Sequence, residues 1–325
     1  MAKSSFDVTI AILTFNGERY LERILDAIEK QDFAGTVEVL VLDSGSTDGT
    51  LAIVSRHPVV RLHQIPNEEF GHGRTRNLAA SLANGKIVVY LTHDAVPADE
   101  HWLRELVAPL DKFPGVEGVF GRQIARPDCV PLLKYEIRRV FSTQGPEFGT
   151  TLSYRTEAFD RLPHYWLPAA FYSDVNSAAH REFLLKKVAY RDVDYAEDQL
   201  FGRDLLEGGY LKAYAARGAV EHSNDLTYGE YKKRIFDEIV GLRASGAIVP
   251  PLPSAFRRFV RAVVLDPADI LQDRDFSARR KLYWLLVNPF YHLARSSASR
   301  RARRIRLDDG EGIARGSLER GRRAS

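Results

Sequence analysis

The 325-residue sequence has one cysteine, Cys129. A single thiol excludes an internal disulfide and a cysteine-based zinc cluster, and it predicts a reducing, cytoplasmic setting. Long apolar runs are missing too: no stretch reaches the roughly 18–20 residues that a spanning helix needs. The opening MAKSSFDVTIAILTF has a lysine and a short apolar run alternating into polar residues, which predicts no signal peptide. Glycine-rich phosphate loops are also lacking. TFNGERYLER supplies neither GxGxxG nor GxxxxGKS/T after the first apolar run, and Gly71-x-Gly73 lacks the third glycine and follows a different strand. Nicotinamide and P-loop chemistry are therefore disfavoured. So is a nucleotidyltransferase, which would carry a glycine- and basic-rich loop directly after strand one.

The net charge is small, +3 from 46 basic and 43 acidic residues, but basic charge is unevenly placed. Arg295, Arg300, Arg301, Arg303, Arg304 and Arg306 crowd one stretch near the end, so any affinity for an anionic surface belongs there. That stretch lacks interleaved aromatics and follows no recognisable nucleic-acid module, which argues against nucleic-acid binding. A chain of this length, 45% hydrophobic and 27% charged, suits one large globular domain with an appendage or two modest domains.

Strands and helices alternate through the first half. FDVTIAILTF, rich in β-branched residues, ends at Asn16-Gly17, and Tyr20, Leu21, Ile24, Leu25 and Ile28 then recur at helical spacing. VEVLVLD reads as a buried parallel strand closed by the loop DSGSTDGT. A helix, the strand VVRLHQIP and a helix in HGRTRNLAASLANGK come next, with Leu78 and Leu82 on one face and Gly85 as C-cap. IVVYLTHDA and VEGVFGRQIA supply strands four and five. The alternation predicts a doubly wound, mostly parallel α/β sheet with helices on both faces. Such sheets bind ligands beyond their carboxyl ends, where Thr14-Phe15-Asn16, Asp43-Ser44-Gly45-Ser46 and His93-Asp94 fall. Acids facing a diphosphate repel it unless a divalent cation lies between, and Mg²⁺ or Mn²⁺ commonly bridges one or two carboxylates to phosphates. Asp94 is the candidate ligand, unless it only forms a turn.

TFNGE after strand one, VLDSGSTDGT after strand two, GRTRN opening the third helix and LTHDAVP at strand four together resemble family 2 glycosyltransferases of the GT-A fold. The resemblance spans roughly residues 6–240, and it implies a metal-dependent inverting glycosyltransferase. Asp43 would contact the nucleobase, and Thr14, Phe15, Asn16, Gly17 and Glu18 would line the nucleotide pocket with Ser44 and His93. Arg76, with Asn77, would steady the aspartates or the nucleotide. Asp94 would be the surviving acid of a DXD motif that here reads His93-Asp94-Ala95, with one acid where the family pattern has two. FGHGRTRN with LTHDAVP resembles the rhamnosyltransferase-like branch that builds bacterial surface polysaccharide. The implied donor is then a nucleotide sugar, dTDP-L-rhamnose first, and the acceptor a glycan or lipid-linked glycan. A UDP-hexose donor, or a non-catalytic sugar-nucleotide-binding protein on a degenerate scaffold, are the alternatives.

In the second half, YAEDQLFGRDLLEGGY places Glu197 and Asp198 at the start of a helix bearing Leu200, Leu205 and Leu206. Acids there suit the helix dipole in any case. The resemblance makes Asp198 the base that takes the acceptor proton, with Glu197 beside it, and makes His222, in VEHS, a second metal ligand. LPAAFYSDVNSAAHRE resembles a stretch lining the active site of that branch, so Asp174, Asn176 and the preceding Trp166 are sugar or acceptor candidates; a helix N-cap at Ser173 or Asp174 is the plainer alternative. The expected layout is a catalytic domain over 1–245, split near 125 into nucleotide and acceptor halves, a basic helical extension over 246–305, and disorder over 306–325. The extension, with FRRFVRAVVL and ARRKLYWLLVNPFYHLARSSASRRARR, predicts either packed helices or attachment to an anionic membrane.

Overall fold

The computed structural model describes residues 6–157, 169–193, 195–224, 226–246, 249, 251–318 and 320–321. The chain divides into two compact units, one comprising Met1–Ile124 and Val140–His222 and the other Ala125–Arg139 and Ser223–Ser325. The division falls at His222, and the helix after it lies in the second unit.

The first unit is built on a nine-stranded sheet. β1 (Phe6–Thr14), β2 (Val37–Asp43), β3 (Val60–Gln64) and β4 (Gly85–Thr92) run parallel in the order β3-β2-β1-β4, linked by α1 (Glu18–Glu29), α2 (Thr50–Arg56) and α3 (His72–Leu82). β1 is central: Val8, Thr9, Ile10, Ala11 and Ile12 have no exposed surface, as a strand covered on both faces requires. α1 buries Leu21, Ile24, Leu25 and Ile28, the predicted stripe. Strand register sets the rim. Thr14 pairs with Asp43, and Leu13 with Thr92, so β1, β2 and β4 end level and open their loops on one side.

Beyond β4 the sheet is mixed. β5 (Val96–Pro97), α4 (Trp102–Lys112), β6 (Val116–Ile124), β7 (Thr150–Ser153), β8 (Asn176–His180), α6 (Arg181–Lys186), α7 (Glu197–Glu207) and β9 (Leu211–Glu221) complete the unit. β8 runs antiparallel to both β4 and β6, β6 runs parallel to β9, and β5 and β7 pair antiparallel with β9. The strand at Asn176–His180 replaces the helix N-cap expected of Ser173 or Asp174. Its NSAAH sequence is too small and too short to display period two, but it lies buried between two strands. α3 also departs from expectation. Its buried face carries Gly73, Thr75, Arg76, Ala79 and Ala80 rather than Leu78 and Leu82. A Cβ on Gly73 would lie 2.0 Å from the Arg191 carbonyl oxygen, so this close approach requires glycine. The C-cap is Ala83, and Gly85 instead opens β4, where a Cβ would lie 2.4 Å from the Thr9 nitrogen.

The second unit is helical: α5 (Pro131–Ser142) up to Arg139, α8 (Tyr228–Ala244), α9 (Ala255–Val260), a π-turn over Arg261–Leu265, α10 (Asp266–Gln272), α11 (Ala278–Arg304) and α12 (Gly310–Gly316). α8 starts on a capping box between Thr227 and Glu230. Tyr135, Tyr231, Ile235, Phe236, Trp284 and Tyr291 form its core with the small residues Ala294, Ala298 and Ala302 of α11. Arg295 grips Glu136 through two bonds of 2.8 and 2.6 Å. Arg243 donates to the Ala302 and Ile305 carbonyls at the end of α11. The disorder expected over 306–325 is not what Gly310–Gly316 shows. Asp309 caps this helix by accepting from the Gly312 N–H at 2.8 Å, and Ile313 is buried. Among the described residues no helix is long and apolar enough to cross a membrane.

Candidate functional site

The level ends of β1 and β2 are sewn together loop to loop. Asn16 holds a left-handed φ of 50°, which an asparagine tolerates, and its Oδ1 accepts from the Thr47 N–H at 2.9 Å. Glu18 Oε2 accepts from the Gly49 N–H at 2.7 Å, and the Glu18 N–H donates to Asp48. Asp43 is wholly buried: Oδ1 accepts from the Thr14 and Ser46 hydroxyls, and Oδ2 from the Gly45 and Ser46 N–H groups. Ser44 Oγ turns back to the Thr14 carbonyl. Of the nucleotide candidates, Thr14, Asn16, Glu18, Asp43 and Ser44 thus meet on one rim, whereas Arg76 lies in a separate cluster. Asp43 and Ser44 also use these polar atoms to hold the loop's shape. Phe15 is half-buried beside them.

Topology brings the next pair together. Two residues beyond Asp94, Val96 of β5 pairs with Glu221 at the end of β9, which sets His222 beside the acid. His222 Nε2 lies 3.4 Å from Asp94 Oδ2, and its Nδ1 lies 2.9 Å from Gln123 Oε1. An amide oxygen only accepts, so Nδ1 carries the proton and Nε2 faces Asp94. Gln123 in turn donates to Ser173 Oγ at 2.9 Å. Burial opposes the charge on Asp94, but its neighbours His222 and then His93 outweigh it and hold the carboxyl well below its ordinary range. The donor set fits a divalent cation: two bonds of about 2.1 Å span a 3.4 Å gap between a carboxylate oxygen and an imidazole nitrogen, and the ordered Nδ1–H leaves a lone pair for the ion. His93 does something else. Its Nδ1 faces the Leu13 carbonyl at 3.3 Å and its ring packs on Gly17, so it ties the end of β4 to the β1 loop.

A second, drier cluster surrounds Arg76. The buried guanidinium lies 3.1 Å from Asp174 Oδ2 through Nε and 2.5 Å from Glu197 Oε1 through Nη1. Asp174 Oδ1 accepts from Ser177 Oγ at 2.5 Å and from the Tyr190 hydroxyl at 2.9 Å, and Tyr190 stacks on Phe201. Burial pushes the Asp174 carboxyl up despite Arg76. Asp198 is half-buried, and its Oδ1 accepts from the Gln199 N–H at 2.7 Å. Burial, then Glu197, then Asp174 push its carboxyl well above the usual range, because one guanidinium faces three acids. Ala196, just before the acids, sits at φ 63°, a strained left-handed conformation for a residue with a Cβ.

Two of the sugar or acceptor candidates are enclosed by protein contacts. Asn176 is fully buried; its Oδ1 accepts from Trp102 Nε1 at 2.9 Å and its Nδ2 donates to the Gly218 carbonyl at 2.7 Å, so its amide joins strands instead of facing a ligand. Asp174 is spent on Arg76. Trp166 lies outside the described residues. Gln123 and Tyr190 were not foreseen: they act across 99 and 16 residues of sequence, and no local spacing marks them. Lys212 is also unforeseen. Burial lowers its pKa to about 7, and its ammonium donates to the Ala169 and Phe171 carbonyls, which braces the segment leading to Asp174.

Comparison with known proteins fits this geometry. Residues 9–175 match the family described as Glycosyl transferase family 2. In sequence the chain is similar to the O-antigen chain rhamnosyltransferase RfbN of Salmonella typhimurium, 28% identical over 233 residues, which is 71% of this chain and 70% of that protein. Among solved structures it is similar to the mannosyltransferase PcManGT from Pyrobaculum calidifontis in complex with GDP-Man and Mn²⁺, with a TM-score of 0.55, 22% identity, and coverage of 98% of this chain and 84% of that one. It is also similar to S. aureus TarS 1–349 in complex with UDP-GlcNAc, with a TM-score of 0.53, 19% identity, and coverage of 95% and 79%. These likenesses establish the GT-A fold.

Proposed function

Because this chain belongs to glycosyl transferase family 2, we propose that it is a metal-dependent inverting transferase that moves a sugar from a nucleoside diphosphate to a glycan acceptor. The observation that carries the reading is the contrast between two aspartates: Asp94 is held ionised beside His222, whereas Asp198 is kept basic by burial and neighbouring acids. Asp198 has the character a general base needs, since a raised carboxyl pKa strengthens its pull on an acceptor hydroxyl. As the acceptor oxygen bonds to the anomeric carbon on one face, its proton passes to Asp198. The bond to the diphosphate breaks on the opposite face, and its electron pair leaves with the nucleotide. Asp94 and His222 would hold Mg²⁺ or Mn²⁺, which when bound neutralises the departing diphosphate. Glu197 and Asp174 lock Arg76, and Arg76 fixes where α7 begins and hence where Asp198 points. The loops at Asn16–Glu18 and Asp43–Asp48 form the nucleotide rim, with Asp43 as its brace.

The donor reading is dTDP-L-rhamnose, supported by the named activity of RfbN. A lipid-linked acceptor at a membrane surface is supported by the second unit. Leu282, Leu286, Phe290 and Leu293 are 59–66% exposed and recur along one side of α11, and Phe256 and Phe259 are exposed on α9 beside Arg257 and Arg258.

The test of donor and metal is calorimetric binding of dTDP, UDP and GDP, with Mn²⁺ and again with EDTA. Metal-dependent binding with dTDP tightest is expected. Preference for UDP or GDP would replace the rhamnose donor, and binding of none would contradict the transferase reading.

A further inference from the structure

Away from that rim, α1 and α2 build a second constellation of ligating groups. Glu22, Asp26 and Glu29 are spaced four and three residues apart on α1 and form one stripe. His57, the C-cap of α2, reaches it. Its Nδ1 lies 3.1 Å from Glu29 Oε1, and its Nε2 lies 3.5 Å from Glu22 Oε1. The His57 side chain is only 9% exposed, and Nε2 is buried without a hydrogen bond. A polar nitrogen so placed is unfavourable unless something occupies its lone pair. The ring is not loose: the His57 N–H donates to the Val54 carbonyl, and its own carbonyl accepts from the Val60 N–H.

The remaining groups fit an ion. One ligand atom each from Glu22, Asp26 and His57 lies within 4.8 Å of the others. Glu29 accepts the Nδ1 proton, which fixes the tautomer that leaves Nε2 free, the carboxylate–histidine arrangement found behind metal ligands. Arg56 binds Glu22 Oε2, leaving Oε1 turned toward His57. Three carboxylates against one guanidinium leave a negative excess that a dication would cancel.

We propose that Glu22, Asp26 and His57 form a second divalent-cation site that takes zinc, separate from Asp94 and His222. One imidazole and two carboxylates with an open fourth position suit zinc, whereas magnesium prefers an all-oxygen octahedron. Asp26 is exposed and closes the set from the solvent side. The ion staples α1 to α2, the helices that leave the two stitched loops of the nucleotide rim.

The test uses full-length, metal-stripped Asp94→Ala protein without nucleotide, so that the active-rim ligand pair is already broken. Equilibrium dialysis against Zn²⁺ should give one bound ion, and Zn²⁺ should raise the Tm by about 3 °C. Adding Asp26→Asn, an exposed change that leaves the fold intact, should weaken Zn²⁺ at least tenfold and remove the Tm rise. His57→Gln should abolish binding. An Asp94→Ala protein that binds no zinc, or one whose affinity is unmoved by Asp26→Asn and His57→Gln, would overturn the site. Either result leaves the nucleotide-binding test of the active rim unaffected.

Discussion

Asp94 and Asp198 are the same residue type placed at loop ends of one structural unit, yet their surroundings push them in opposite directions. Asp94 lies beside His222, and its carboxyl is held well below the ordinary range. Asp198 is pushed the other way by burial and then by Glu197 and Asp174, whose charges the one guanidinium of Arg76 already pairs, and it holds its proton more tightly. The difference assigns work. A carboxylate that must stay charged belongs on a cation and a diphosphate, and one that must gain a proton during turnover belongs beside the acceptor.

The largest effect expected of this division is on turnover. Asp198→Asn should lower kcat about 10³-fold while leaving the donor Kd within about twofold. In the wild-type protein, turnover should fall as pH drops below the raised Asp198 value, because only the ionised base accepts a proton. Steady-state rates against pH check both; an acid limb lying at the ordinary carboxylate range would separate Asp198 from the base role.

Next in size is the lock on the dry cluster. Arg76→Gln leaves Asp174 and Glu197 facing each other without a cation, a change on the order of 3 kcal/mol for a buried pair. Urea unfolding should show it, and Tyr190→Phe, which removes one donor to Asp174, should cost about 1 kcal/mol by the same measure.

The smallest effect separates the two aspartates by sign. A carboxyl with a depressed folded-state pKa adds stability that is present above its unfolded value of about 4 and lost as pH falls toward the folded one. One with a raised pKa contributes fully below about 4 and loses that contribution as pH rises through the higher folded value. At neutral pH in EDTA, Asp94→Asn should therefore lower the Tm and Asp198→Asn should raise it, by a few degrees each. Shifts of the same sign would erase the distinction.

The sequence pattern foretells the parallel half of the sheet because β1, β2 and β4 carry β-branched runs that end in polar loops, and the level rim results from that. The family resemblance also singles out Glu197, Asp198, Asp94 and His222, and the structure sets Asp94 beside His222 and Glu197 against Arg76. What is not legible depends on long-range placement. Asn176 reads as a ligand contact in SDVNSA but is drawn into the sheet by Trp102 and Gly218. Arg76 pairs with Glu197 across 121 residues, and Gln123 orients His222 across 99. Leu78 and Leu82 promise an apolar face, yet the buried face of α3 carries Gly73, Thr75, Arg76, Ala79 and Ala80, and at Gly73 the Arg191 carbonyl comes too close for any side chain. In the tail, a single buried Ile313 and an aspartate cap order a helix that composition alone marks as disordered.

The most direct test binds the donor nucleotide to Asp94→Ala and Asp198→Asn side by side, by calorimetry, with Mn²⁺ and with EDTA. Asp198→Asn is expected to bind as tightly as wild type and only with metal, while Asp94→Ala loses the metal-dependent part of its affinity. Metal-dependent binding retained by Asp94→Ala, or lost in Asp198→Asn, would contradict the division of labour between the two aspartates.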